Sequence, residues 1–285
     1  MIKTDTQFKE YKGRSIDQMP IMLAEGVVPL SVVGFMLNRE AIVEQLGSIY
    51  AGTSDLAAYG REGTSSELKM FLTVDNQGRI TENGRKALEL INPLQERSSG
   101  AIVLTNEVYN EFNGVGVVPL FRKELKKYGV DKNLTEAQVL NHLGLRVLLR
   151  HPDAVPAEFA YDGLMQEVVG KTFAEMGKRH DYIEGMGFYL DASEKNAKLR
   201  AWCVDGLADR SDAGGRYYLD AGSGRFVSIA PEAPNAPTET KSESPQTVKL
   251  YTTADLQAFD KAMEGLEGII CSDALKPFVN LRNKL

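Results

Sequence analysis

The sequence predicts an α+β fold: a mixed N-terminal α/β unit, a helical middle, a small antiparallel meander and a C-terminal helical pair. Three observations carry this expectation. Apolar residues recur at helical spacing over residues 31–46 and again after Pro156. Over residues 68–74 and 199–204 they alternate with the two-residue period of strands. Stretches rich in glycine, aspartate and proline separate these runs, as turn-forming residues do.

The first unit spans residues 1–97. Pro29 precedes a helix whose Val32, Phe35, Met36, Val43 and Leu46 share a face, with Ser31 as its cap and Gly47 as its stop. Leu68, Met70, Leu72 and Val74 then alternate against Lys69 and Thr73, and residues 75–78 supply the turn. Thr81 caps a short helix through Ile91, which Asn92-Pro93 closes, and Ser98-Ser99-Gly100 reads as a joint. The second stretch, 98–230, starts with a short strand at 101–104 and a helix capped by Thr105. Pro119 is expected to open a helix ending at Gly129, and Thr135 and Gln138 have capping-box spacing for another that reaches Leu149. The pentapeptide GVVPL occurs at 26–30 and at 116–120 with unmatched flanks, and reads as a recurrent helix start rather than a duplication.

A helix is expected from near Pro156, with Tyr161, Leu164, Met165, Val168, Val169, Thr172, Phe173 and Met176 on a broad apolar face. Gly163, Gly170 and Gly177 recur every seven residues and form one line, drifting only ~20° per heptad. With Glu167 and Ala174 they make a seam of mostly small side chains, a candidate interface. Three interior glycines would forfeit about 3 kcal/mol of helix propensity relative to alanine. Either a second helix or another subunit packs on that seam, or the helix is interrupted there.

Residues 185–190 make a short strand. Leu199, Ala201 and Cys203 alternate with Arg200, Trp202 and Val204, and residues 217–219 are expected to form a hairpin with 226–229. Residues 231–246 contain four prolines and almost nothing apolar, which reads as a linker or exposed loop. The remaining segment, 247–285, is expected to be helical.

Composition bounds the function classes. A net charge of −6 disfavours nonspecific binding to nucleic acid or anionic membranes. Residues 21–37 are the one stretch that suggests a membrane span, but Glu25, Pro29 and two glycines interrupt it. No membrane association is expected. Cys203 and Cys271, far apart in apolar runs, read as reduced packed thiols, and a cytoplasmic location follows.

Chemistry concentrates between Asp205 and Arg225, where twenty-one residues hold five glycines and four aspartates. Asp205, Asp209 and Asp212 offer three carboxylates to a hard cation, although an EF-hand spacing is missing. Arg216 and Arg225, beside Gly222 and Gly224, could form an anion nest, although the residues of a P-loop are missing. His142, His151 and His180 lack the i,i+4 spacing of a helical metal pair, and no cofactor is indicated. Cys203 is a nucleophile only if the fold brings a histidine to it.

Three readings of function follow. The leading one is a non-catalytic intracellular protein that acts by association, with itself as a homo-oligomer or with another protein. The second is a metal-assisted hydrolase using Asp205, Asp209 and Asp212. The third is weak nucleic-acid binding through the basic residues of 122–132, Arg122, Lys123, Lys126, Lys127 and Lys132.

Overall fold

The structure, a computed structural model, describes residues 6–60, 67–111, 116–121, 125, 133–180, 184–191 and 197–230. All belong to Met1–Glu232, the first of two units into which the chain divides. The expected linker at 231–246 and helical segment at 247–285 lie outside the described residues, as does all of 122–132 except Leu125.

In chain order the elements are β1 (Phe8–Lys12), α1 (Ser15–Ala24), α2 (Val32–Leu37), α3 (Arg39–Leu46), β2 (Ala51–Tyr59), β3 (Glu67–Phe71) and α4 (Glu82–Glu89). Then come β4 (Arg97–Ser98), β5 (Ala101–Val103), α5 (Asn106–Glu111), β6 (Val117–Phe121), α6 (Glu136–Asn141), α7 (Leu143–Leu148) and a 3₁₀ turn (Ala157–Phe159). The last are α8 (Leu164–His180), β7 (Phe188–Tyr189), β8 (Lys198–Asp205), β9 (Asp212–Gly214) and β10 (Arg225–Ile229). The fold is α+β, as the alternating and helical patterns predict.

Among the described residues, ten strands join one sheet, in which β1, β10, β2, β8, β5 and β4 lie side by side. β3 and then β6 extend from β2, while β9 and then β7 extend from β8. The pairing is antiparallel except where β10 meets β2 and β7 meets β9. Every residue of β2 is buried, because both faces of the sheet are covered. On β8 the two-residue period sends Trp202 and Val204 into one apolar cluster and Leu199, Ala201 and Cys203 into the other. The first cluster collects Phe35, Met36 and Ile42 of α2 and α3 with Val169, Phe173 and Met176 of α8. The second collects Ile16, Met19 and Met22 of α1 with Ala87 and Leu88 of α4.

The expected caps are in place. Ser31 Oγ accepts from the Gly34 N–H and Thr81 Oγ1 from the Gly84 N–H, while Thr135 and Gln138 form a reciprocal box. Two buried ion pairs among the described residues have no local sequence signature. Arg150 Nη2 lies 2.6 Å from Asp55, whose other oxygen accepts the Val32 N–H at the start of α2. Arg200 Nε lies 2.7 Å from Asp191, while its Nη1 and Nη2 donate to the Tyr217 and Ser99 carbonyls.

Several expectations need correction. Ser98-Ser99-Gly100 is no joint between units: Ser99 and Gly100, both at positive φ, turn β4 back onto β5 inside the shared sheet. Pro119 sits in strand β6 opposite Lys69 instead of opening a helix. The second GVVPL is therefore mostly strand, while the first leads from a loop into Ser31 and α2. The helix expected to reach Leu149 breaks at His142, which caps α7 through Nδ1. β10 makes no hairpin with residues 217–219; it inserts between β1 and β2.

Candidate functional site

β8 and β9 run antiparallel until Asp205 and Asp212 face each other at the open end of their ladder. The turn between them is shaped by two residues in the left-handed region, Gly206 and Ser211. Ser211 tolerates this conformation in a densely bonded setting: its N–H donates to the Gly206 carbonyl, and its hydroxyl donates to the Leu207 carbonyl. Arg39 of α3 pins the same turn, donating to the Leu207 carbonyl at 2.7 Å and to Ser211 Oγ at 3.0 Å while pairing with Glu175 of α8. From the other side, the Gly187 N–H reaches Asp212 Oδ1 at 2.6 Å and the Ala213 N–H reaches the Gly187 carbonyl at 2.8 Å.

This scaffold frames a cavity of about 260 Å³ lined by Tyr50, Tyr189, Cys203, Asp205, Asp212, Gly214 and Arg216. Tyr50, 42% exposed at the start of β2, leans on Tyr217 with ring centroids 5.2 Å apart. Tyr189 of β7 is held by its hydroxyl, which donates to Asn133 Oδ1 at 3.2 Å, and the Arg216 guanidinium lies 4.9 Å above its ring. Burial pushes the Asp212 carboxyl above its ordinary value against the Gly187 hydrogen bond and the nearby Arg210 charge, with Asp205 and Asp209 adding repulsion. Like charges directly opposed across a ladder cost stability, so this end of the sheet is held at some expense.

Cys203 is buried at the cavity wall and donates its S–H to the Gly214 carbonyl at 3.1 Å. Burial pushes its thiol up to about 12, so it is a packed thiol rather than a nucleophile. His142 is buried against Phe188, with ring centroids 4.5 Å apart, and burial lowers its pKa to about 4. It is a neutral capping residue of the core.

Asp205, Asp212 and Arg216 thus meet in one cavity. Asp209 does not line it: its carboxylate lies 3.9 Å from Arg210 and its carbonyl accepts from Arg39. Among the described residues no group of three or more histidines, cysteines, aspartates or glutamates converges to hold a metal ion. Arg225 pairs with Glu10 of β1 at 3.1 Å, away from the cavity lining, and the Gly224 N–H and carbonyl are used by Ala221 and Gly13. Gly222 lies on the same exposed turn. The expected nest of Arg216, Gly222, Gly224 and Arg225 is therefore not gathered into this cavity.

On the glycine seam, α8 begins after Gly163, whose φ of +68° places it outside the helix. A Cβ at Gly163 or Gly177 would meet nothing within 4 Å, and at Gly170 only Glu136 Oε1 at 3.7 Å, among the described residues. Ala174 and Glu167 are exposed, Glu167 paired to Lys171. Tyr50 and Tyr189 carry no local motif and lie outside the Asp205–Arg225 stretch, so the sequence does not single them out.

The architecture and site together define a sheet-centred α+β domain with a small polar cavity at a strand-ladder end. The class can be sharpened by comparison. A solved structure described as "Accommodation of massive sequence variation in Nanoarchaeota by the C-type lectin fold" superposes with a TM-score of 0.50 at 14% identity, over 80% of this chain and 99% of that one. The likeness extends to the fold, which is that of C-type lectins. No family model matches the chain, and no curated protein does. No helix among the described residues is long and apolar enough to cross a membrane.

Proposed function

We propose that the protein is a non-catalytic recognition domain that acts by binding, with the Tyr50/Tyr189/Asp205/Asp212/Arg216 cavity as its ligand site. One observation carries the reading: a cation and two carboxylates share the cavity without an ion pair between them, beside two tyrosine rings. Tyrosine and arginine are the side chains that dominate recognition surfaces, because they offer rigid contact area with polar tips. The thiol at the wall is too basic for covalent chemistry at neutral pH. The neighbour's fold is described as accommodating massive sequence variation, which suits a scaffold whose surface side chains set what it binds; fold likeness by itself does not assign function.

A ligand-observed NMR screen of small polar fragments tests this. Fragments should bind the protein and lose binding to a Tyr50→Ala/Arg216→Ala variant. Equal binding to both would overturn the assignment. Self-association through the exposed Gly163–Gly177 face is part of the same reading, and sedimentation giving a strict monomer at high micromolar concentration would remove it.

The second reading, a divalent-cation site on Asp205, Asp209 and Asp212, has one observation in its favour: Asp205 and Asp212 share the cavity. The melting temperature would then rise with Ca²⁺, Mg²⁺ or Mn²⁺, and Asp209→Asn/Asp212→Asn would abolish the rise. No rise with any of the three ends it.

A further inference from the structure

Resting on the reading of this cavity as a ligand site, we propose that its ligand is a small amino-acid zwitterion, with its carboxylate on Arg216 and its ammonium between Asp205 and Asp212. Arg216 is exposed and lies over the Tyr189 ring, and among the described residues no carboxylate is within ion-pair distance of its guanidinium. Asp205 and Asp212 each accept a backbone N–H, from Gly206 and Gly187, yet neither has an ion-pair partner among the described residues. A long, mobile arginine with a purely structural role would swing onto a carboxylate of the same cavity. Held over the Tyr189 ring and without a carboxylate partner among the described residues, its forked N–H groups suit a planar acceptor such as a carboxylate.

The facing aspartates call for the opposite charge. Two facing carboxylates match the donors of an ammonium, whereas a divalent cation wants more oxygens than this cavity gathers among the described residues. Size narrows the choice further: about 260 Å³ lies below the roughly 300–1,000 Å³ of drug-sized sites, which excludes a long peptide or oligosaccharide as sole occupant. Two aspartates and one arginine leave the cavity at −1, so a zwitterion carrying one extra positive charge balances it. L-lysine has that charge, and the Tyr50 ring offers its alkyl chain an apolar surface.

The test is calorimetric titration with L-lysine at neutral pH and low salt, beside acetate and n-butylamine, each of which carries half of the recognised charge. L-lysine should bind about tenfold or more tightly than either half-ligand. Arg216→Ala and Asp212→Asn should each weaken it by about tenfold or more, at unchanged melting temperature for the exposed Arg216→Ala variant. Acetate or butylamine binding as tightly as L-lysine, or L-lysine binding unchanged in Arg216→Ala, would overturn the zwitterion assignment. So would the absence of L-lysine binding at millimolar concentration. If L-lysine fails while a neutral fragment binds and is lost in Tyr50→Ala, the zwitterion falls and the recognition reading stands. If no ligand responds to any cavity variant, both fall.

Discussion

Acidification should destabilise this protein through His142, by an amount the structure sets. The imidazole is fully buried against Phe188, and its pKa falls from 6.5 to about 4 because burial disfavours the charged ring. A base with a depressed folded pKa binds fewer protons folded than unfolded. Stability is therefore full above the unfolded pKa and declines as the pH drops toward the folded one. With 1.36 kcal/mol per unit, the loss from this residue reaches about 2 kcal/mol at pH 5 and about 3 kcal/mol at pH 4. Urea unfolding followed by Trp202, the sole tryptophan and fully buried, supplies the assay. Carboxylates titrate in the same range, so the informative quantity is the difference in pH slope between the protein and His142→Asn. Asparagine can still cap α7, and the variant should lack that part of the slope. Identical slopes in the two proteins between pH 4 and 6.5 would refute the reasoning.

Other outcomes follow from the same packing. Asp55→Asn leaves the Arg150 guanidinium buried without its counter-charge and should cost about 3–5 kcal/mol by urea denaturation; less than about 1 kcal/mol would mean the pair is not electrostatically buried. Gly84→Ala places a Cβ against the Thr73 backbone carbonyl, which cannot yield as a side chain would, and should lower stability by about 1–3 kcal/mol by calorimetry. Cys203 should resist iodoacetamide at pH 8 in the folded protein and react promptly in urea, as read by peptide mass mapping.

Local signals were legible in the sequence wherever one turn of chain decides the outcome. Ser31, Thr81 and Thr135 could be read as caps because a cap needs only a partner three residues on. Pro119 misled because the same residue that starts helices also fits an edge strand, and among the described residues β6 pairs only with β3. The hairpin expected of 226–229 failed because β10 finds its partners in β1 and β2, far away in sequence. Asp205, Asp212 and Arg216 of the candidate site were visible, since they share one glycine-rich stretch. Tyr50 and Tyr189 reach the cavity only through the sheet, and the separation of Asp209 and Arg225 depends on Arg210 and Glu10.

The central claim is that ligands are recognised in the cavity at the end of β8 and β9. Chemical-shift mapping with the tightest-binding fragment tests it most directly. Shifts should be confined to Tyr50, Tyr189, Asp205, Asp212, Arg216 and their backbone neighbours. Shifts centred elsewhere, with those residues unmoved, would contradict it.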